Sequence, residues 1–189
     1  MPRHEFVKAV QRLGYDKIVG VDEVGRGALA GPVVVGAVEL NHPIDGINDS
    51  KLLTGSRRTE LAALIARHAR QISFGQASNE EIDQLGLGAA LKLAYHRCLD
   101  RIEFDLVLTD HYALKRITHL RAVRGDSLFY PVAAASIVAK VYRDQLMSVY
   151  HQFHPQFNWR KNVGYGTLEH RQLVNKIGPS PLHRRSFLS

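Results

Sequence analysis

Lys17-Ile18-Val19-Gly20-Val21-Asp22-Glu23-Val24-Gly25-Arg26-Gly27-Ala28-Leu29-Ala30-Gly31-Pro32-Val33-Val34-Val35-Gly36 decides the fold of this chain. An apolar-rich run, Lys17 to Val21, and a longer valine-rich run, Pro32 to Leu40, flank a glycine-rich link from Gly25 to Gly31. Apolar runs bounded by turn residues read as strands, so the stretch predicts an antiparallel strand pair joined by a special loop. Two acids, Asp22 and Glu23, follow directly on the first run.

Working outward, Asn41 to Gly55 is polar with Pro43, Gly46 and Gly55, and reads as loop. Ser56 to Arg70 predicts a helix with Leu61, Leu64, Ile65 and His68 on one face. Ile72 to Ala77 predicts a strand. Ser78 and Glu81 form a capping box that opens a helix carrying Leu91, Tyr95, Cys98 and Ile102. Asp105 to Thr109 reads as a buried strand ending at Asp110, and Leu120 to Arg124 as a further short strand. Pro131 to Phe153 is the strongest helix, with proline in its first turn and an apolar stripe of Ala135, Val138, Tyr142, Leu146 and Val149. A loop from His154 to Gly166 follows, then a helix capped by Thr167 and running to about Lys176, then a tail with Pro179, Pro181, His183, Arg184 and Arg185. Strands mixed with covering helices predict an α/β layered domain over residues 1–189, with a C-terminal helical lobe from about residue 150.

Composition narrows the partner. The 189 residues suit one domain, and the single cysteine, Cys98, allows no internal disulfide. The first residues lack the continuous apolar segment of a secretion signal. The most apolar run, Leu29 to Leu40, is interrupted by Gly31, Pro32 and Gly36 and is too short to span a bilayer. A soluble cytoplasmic protein is expected. Its net charge of +7 favours polyanionic partners. Many basic proteins bind nothing anionic, so the chemistry has to come from particular positions.

Four acids occupy such positions. Asp22 and Glu23 end the first apolar run, Asp110 closes Asp105–Thr109, and Asp126 follows Arg124-Gly125. Ligands of open α/β sheets bind at strand ends, where residues distant in sequence converge. A single acid there is more often a cap or a turn residue. Several in a basic protein point to hard divalent cations lying between carboxylates and phosphates, Mg²⁺ or Mn²⁺ by ligand chemistry. Two such ions about 4 Å apart activate a water and stabilise the leaving oxygen of a phosphodiester. Adjacent strand residues point to opposite faces, so Asp22 and Glu23 reach one ion pair only if the strand ends or twists there; Val24 to Gly27 is the expected ending. Gly25-Arg26-Gly27 allows close backbone approach and offers a phosphate partner. Ser50 and Lys51, in Asn48-Asp49-Ser50-Lys51, and Tyr165, between two glycines, are further candidates; alone, each reads as an ordinary loop residue. Zinc-ligand spacing, a nucleophile elbow and a Walker A loop are all missing from the sequence.

The stretch Val21 to Pro32 closely resembles the opening motif of type 2 ribonuclease H (ribonuclease HII), of the bacterial type. Further matches follow in that family's order: Asn48 to Lys51, Asp110, Gly125-Asp126-Ser127, Ala133 to Lys140, Gly164 to Thr167 and His183 to Phe187. The resemblance implies a ribonuclease H-like mixed five-stranded sheet flanked by helices, with a C-terminal helical portion. It implies Mg²⁺- or Mn²⁺-dependent cleavage, with two ions when substrate is bound, on the 5′ side of ribonucleotides in RNA–DNA hybrids or in duplex DNA. The ends left are 3′-hydroxyl and 5′-phosphate. By motif, Asp22, Glu23, Asp110 and Asp126 hold the metal and do the catalysis. Gly25, Arg26 and Gly27 read the 2′-hydroxyl, Tyr165 stacks on the following deoxyribose, and Lys51 contacts phosphate. Ser50 and Arg184 join the substrate-binding set, while Lys140 and Arg143 carry no assigned role. Asp110 stands in Thr109-Asp110-His111 where many relatives have Asp-Gly, which keeps the acid and alters the turn. Type 3 enzymes lack Gly-Arg-Gly and carry an extra N-terminal domain, so type 2 is expected. With the last motif at the chain's end, no sliding-clamp tail is expected, and the protein is expected to be a monomer. Two alternatives compete: a non-catalytic binder of RNA–DNA hybrids, and a two-metal nuclease acting on DNA junctions.

Overall fold

The computed structural model describes residues 4–40, 42–47, 53–110, 117–122 and 125–188, with the backbone alone for His4, Asp126 and Ser127. The strands β1 (Ile18–Val24), β2 (Val33–Leu40), β3 (Ala69–Ala77), β4 (Leu106–Thr109) and β5 (His119–Arg121) form one sheet in the order β3-β2-β1-β4-β5. β1, β2 and β3 pair antiparallel; β4 joins β1, and β5 joins β4, in parallel. This is the expected mixed five-stranded sheet. The helices around it are α1 (His4–Gln11), α2 (Gly55–His68), α3 (Asn79–Leu85), α4 (Leu87–Leu99), α5 (Gly125–Leu128), α6 (Tyr130–Phe153), α7 (Trp159–Asn162) and α8 (Leu168–Ile177).

Strand alternation sorts the core into two layers. Val19, Val21, Val33, Val35 and Val107 face α4, where they meet Leu91, Ala94, Tyr95 and Cys98. On the other face Ile18, Leu106 and Leu108 meet Phe129 and Val132, and Val38 meets Ala134 and Ile137 of α6. α6 crosses β1 so closely that a Cβ on Gly20 would lie 2.0 Å from the carbonyl carbon of Pro131. Only glycine fits there, and this contact fixes where α6 passes under the sheet.

Several expectations need correcting. The helix expected from Ser78 through Ile102 is two helices, α3 and α4, parted at Gly86 with φ 76°. The capping box of Ser78 and Glu81 forms as expected. The last strand is shorter than expected and ends at Arg121; Val123 and Arg124 lie outside the described residues. His154 to Gly166, expected as loop, holds a 3-10 turn (Pro155–Phe157) and α7, because Phe157 and Trp159 stack and bury together. Thr167 caps α8, its hydroxyl accepting the His170 amide.

The largest correction concerns α6. Of its expected apolar stripe, Tyr142 and Val149 are exposed, whereas Arg143 and Met147 are fully buried. The covered row is Ala135, Ala139, Arg143 and Met147, each four residues apart and therefore on one helix face. Beyond Ala139 this face covers the Gly25–Pro32 link and α7 rather than the sheet, as the Arg143 hydrogen bonds show. A reading that counts arginine as a surface residue rotates the stripe away from it. Among the described residues, no helix is long and apolar enough to cross a membrane.

Candidate active site

Strand register brings two of the acids together. β1 and β4 run parallel, and their last pair is Val21 with Thr109. Asp22, still in β1, and Asp110, the bend residue directly after β4, are the next residues on each strand, so they come out beside one another at the same end of the sheet. They also share a face. Gly20, two before Asp22, lies against α6, and Leu108, two before Asp110, packs on Phe129. The Asp110 carboxylate accepts the Gly125 amide at 2.9 Å, which ties the end of β4 to the first turn of α5. A Cβ on Gly125 would lie 3.0 Å from the Asp110 Cα, so the backbone of Asp126 follows immediately beside Asp110. The Asp126 side chain lies outside the described residues.

Glu23 behaves differently. β1 does not end at Asp22; it continues to Val24, still paired with Val34 of β2. The strand therefore turns Glu23 to the α4 side. There it accepts the Tyr95 hydroxyl at 2.6 Å and the Arg26 guanidinium at 2.9 Å, with its side chain 9% exposed. Burial, then the charge of Glu23, holds the Tyr95 phenol well above its ordinary pKa, so Tyr95 remains a neutral donor that orients the carboxylate. Among the described residues no three potential ligand side chains stand together as a metal cluster. Of the four singled-out acids, Asp22 and Asp110 thus stand at neighbouring strand ends, and Glu23 is held by Tyr95, whose phenol also feels the charge of Asp22.

The Gly25–Pro32 link is shaped from beneath by two buried guanidinium groups. Arg184 donates to the carbonyls of Gly25 (2.7 Å), Arg26 (2.9 Å) and Gly31 (2.9 Å). Arg143 donates to Ala30 (3.1 Å), Pro32 (3.0 Å) and Val163 (2.8 Å). Burial, then the neighbouring charge of Arg143, lowers the Arg184 pKa to about 9. Gly25 has φ +90°, and a Cβ there would lie 2.2 Å from Arg143 Nε, so any side chain would evict the arginine. With the Gly25 and Arg26 carbonyls drawn inward, Arg26 and Gly27 are left exposed, and the space at Gly27 is open.

Tyr165 meets this link from the C-terminal part of the chain. It bridges Ala28, while the Gly164 carbonyl accepts the amides of Leu29 and Ala30 at 2.8 and 3.2 Å. Its half-buried ring has Arg143 Cζ 5.4 Å and Lys140 Nζ 5.7 Å from the centroid, and Lys140 is paired with Asp144 at 2.7 Å.

Comparison with known proteins identifies the arrangement. The family model described as Ribonuclease HII matches residues 19–189. The chain belongs to the ribonuclease HII family. A ribonuclease HII of Synechococcus sp. (strain JA-3-3Ab) is 46% identical over 98% of this chain and 88% of its own length. Among solved structures, a chain of the PCNA:RNase HII complex from Archaeoglobus fulgidus superposes with TM-score 0.78 at 23% identity, covering 90% of this chain and 94% of that one. Bst-RNase HIII in complex with Mn²⁺ superposes with TM-score 0.67 at 20% identity, over 95% of this chain and 69% of that one; both likenesses concern the fold.

Ribonuclease HII family members are ribonuclease H endonucleases, and the chain is such an enzyme. That sets aside the non-catalytic binder. Of the residues singled out in the sequence, the ribonuclease HII fold brings Asp22, Asp110, Gly25, Arg26, Gly27 and Tyr165 to one end of the sheet and its adjoining loops. Ser50 and Lys51, with the rest of Asn48 to Lys51, lie outside the described residues. Arg184, expected to contact substrate, is fully buried with its donors committed to the link, so it acts by shaping the loop. Sequence reasoning missed Tyr95, Trp159, His170 and His183. Tyr95 was visible only as one member of an apolar helix face. His183 opened the last matched motif without an assigned role, and Trp159 and His170 gave no signal, because their partners lie on different elements.

Proposed function

We propose that this ribonuclease H hydrolyses the phosphodiester on the 5′ side of a ribonucleotide, in RNA–DNA hybrids and at single ribonucleotides embedded in duplex DNA. The ends left are 3′-hydroxyl and 5′-phosphate, and the role is ribonucleotide and primer removal. The observation that carries this reading is the side-by-side placement of Asp22 and Asp110 next to a rigidly held Gly-Arg-Gly loop. In this reading Asp22, Asp110 and Asp126 hold Mg²⁺ or Mn²⁺, two ions with substrate in place, and Glu23, whose partner Tyr95 also feels the charge of Asp22, joins them through the twist at the end of β1. Their hard oxygen donors fit such ions, and the Mn²⁺ complex of the ribonuclease HIII relative is consistent with the choice. When bound, these cations supply an activated water and charge compensation at the leaving oxygen.

The remaining steps fall to the chain's own groups. Tyr95 and Arg26 orient Glu23. The Gly25-Arg26-Gly27 segment, exposed at Arg26 and Gly27, meets the 2′-hydroxyl, the group that tells RNA from DNA. Tyr165 stacks on the next sugar, and Ser50 and Lys51 contact the backbone, positioning it without reading sequence. The net charge of +7 draws the duplex in, so binding weakens with salt. We further propose that the protein works as a monomer in the cytoplasm and that residues 1–189 act as one catalytic domain.

The test is a duplex carrying one ribonucleotide, incubated with Mg²⁺. Nicking on its 5′ side is expected, with an all-DNA duplex or junction left intact. Equal cutting of the all-DNA control, or an uncut ribonucleotide with folded protein, overturns the reading.

A further inference from the structure

Beneath the Tyr165 turn, away from the acids, lies a hydrogen-bonded chain of rings whose proton positions follow from its geometry. The Ser180 amide donates to His183 Nδ1 at 3.0 Å, so that nitrogen is an acceptor and the His183 proton sits on Nε2. Trp159 Nε1, which can only donate, points at His170 Nε2 at 3.1 Å. His183 Nε2 lies 3.1 Å from the same nitrogen, so the two donors share its lone pair. The proton of His170 is thereby placed on Nδ1, 2.9 Å from the Tyr165 carbonyl oxygen. The chain runs one way: Ser180 to His183, His183 to His170, His170 to the backbone of Tyr165.

Both rings must be neutral for this to hold. A proton added to His170 would face two donors, and one added to His183 would face the Ser180 amide, with only the Ser180 hydroxyl at 2.9 Å, already accepting from the Leu182 amide, able to take it. The surroundings agree. His170 and His183 are almost wholly buried and pack against Phe157 and Trp159. His154, from the end of α6, adds a further imidazole that disfavours charge on His183. Glu169 of α8 favours charge on His170, but less strongly than burial opposes it. From α3, Asn79 donates to the His183 carbonyl, and the guanidinium of Arg184 is turned to the link.

We propose that His170 and His183 are positioning residues for Tyr165: as neutral imidazoles they anchor its carbonyl, and so set how its ring meets the substrate. This rests on the reading of Tyr165 as a substrate contact. The Gly164 and Tyr165 backbone is the piece that both accepts from His170 and pairs with the link at Ala28 to Ala30. Losing the anchor therefore moves the ring, while the link keeps its own hydrogen bonds from Arg143 and Arg184.

The test measures kcat/KM on the ribonucleotide duplex. His170→Phe keeps a ring but removes the donor, and a loss of about tenfold is expected, the scale of one hydrogen bond. His170→Asn can still donate from the Nδ1 position and should recover most of it. In a Tyr165→Ala background the same His170→Phe change should cost under about twofold, because the histidine acts through that ring. Equal losses in both backgrounds, or an Asn variant no better than Phe, overturn the proposal. Failure of wild-type protein to cut, or a Tyr165→Ala variant with full activity, instead overturns the reading of the site on which it rests. Should the His170 variants not fold, imidazole nitrogen NMR of the wild type at about pH 5.5, below the usual histidine pKa of about 6.5, decides. Neutral rings with protons on His170 Nδ1 and His183 Nε2 are expected; a charged ring or the opposite tautomers overturn it.

Discussion

Asp22 and Asp110 are neighbours because two parallel strands share a register, whereas the Gly25–Pro32 link a few residues away is shaped by side chains from the far end of the chain. The first arrangement is made by backbone pairing between β1 and β4. The second depends on Arg184, reaching back 153 to 159 positions, and Arg143, reaching back 111 to 113. The contrast teaches a division of labour. On the proposed reading, the metal-holding acids are set by strand pairing, and the loop that would meet the sugar is fixed by buried donors. Changes at the acids should therefore remove chemistry and spare the fold, while changes beneath the link should damage both.

The sharpest break in that comparison is Asp110→Asn. Turnover should fall by about a thousandfold, on the scale of removing one group that stabilises transition-state charge. Duplex binding and the melting temperature should stay near wild type, since the amide oxygen can still accept the Gly125 N–H. Nicking kinetics and a thermal melt check both halves. Arg184→Met should damage both fold and chemistry. It strands three carbonyls, and hydrogen bonds to a charged group contribute about 1.5–3 kcal/mol each, so unfolding free energy should drop by about 3 kcal/mol or more. Urea denaturation reads this, and cleavage should be lost along with it.

Between the two regions stands Tyr95→Phe, which frees Glu23 without touching the link. Its stability should change by about 1 kcal/mol, with activity reduced about tenfold, measured on the same duplex. A smaller effect is expected from acid. His183 has its pKa lowered to about 4, chiefly by burial, from the ordinary imidazole value. The unfolded chain thus takes up a proton that the folded chain refuses, so stability present above about pH 6.5 is progressively lost as pH falls toward 4. Urea midpoints across this window should show that slope in the wild type and a shallower one in His183→Asn. Smallest of all is the effect of Arg26→Ala on stability, under about 0.5 kcal/mol, because its ion pair with Glu23 is half exposed on the arginine side.

The same division explains what the sequence disclosed. Acids placed directly after apolar runs, and glycines around Arg26, are local patterns, so the sheet, the β1–β2 pair and the Asp22 and Asp110 positions were legible. Even there, β1 continues through Glu23 to Val24 because β2 continues to pair with it, which a strand read from one chain segment does not reveal. The support was not legible. Arg143 sits in an otherwise apolar row, and polarity scales push such a residue outward. His170, His183 and Trp159 gain their roles only from one another. Arg184 stood out by motif as a substrate contact, yet its buried guanidinium faces the back of the loop.

Anomalous diffraction from crystals of the wild-type protein grown with Mn²⁺ tests the shared-cation idea most directly. The expected result is a manganese peak touching carboxylate oxygens of both Asp22 and Asp110, lost in Asp110→Asn. Manganese bound elsewhere, or a peak that keeps its place and strength in the variant, would contradict it.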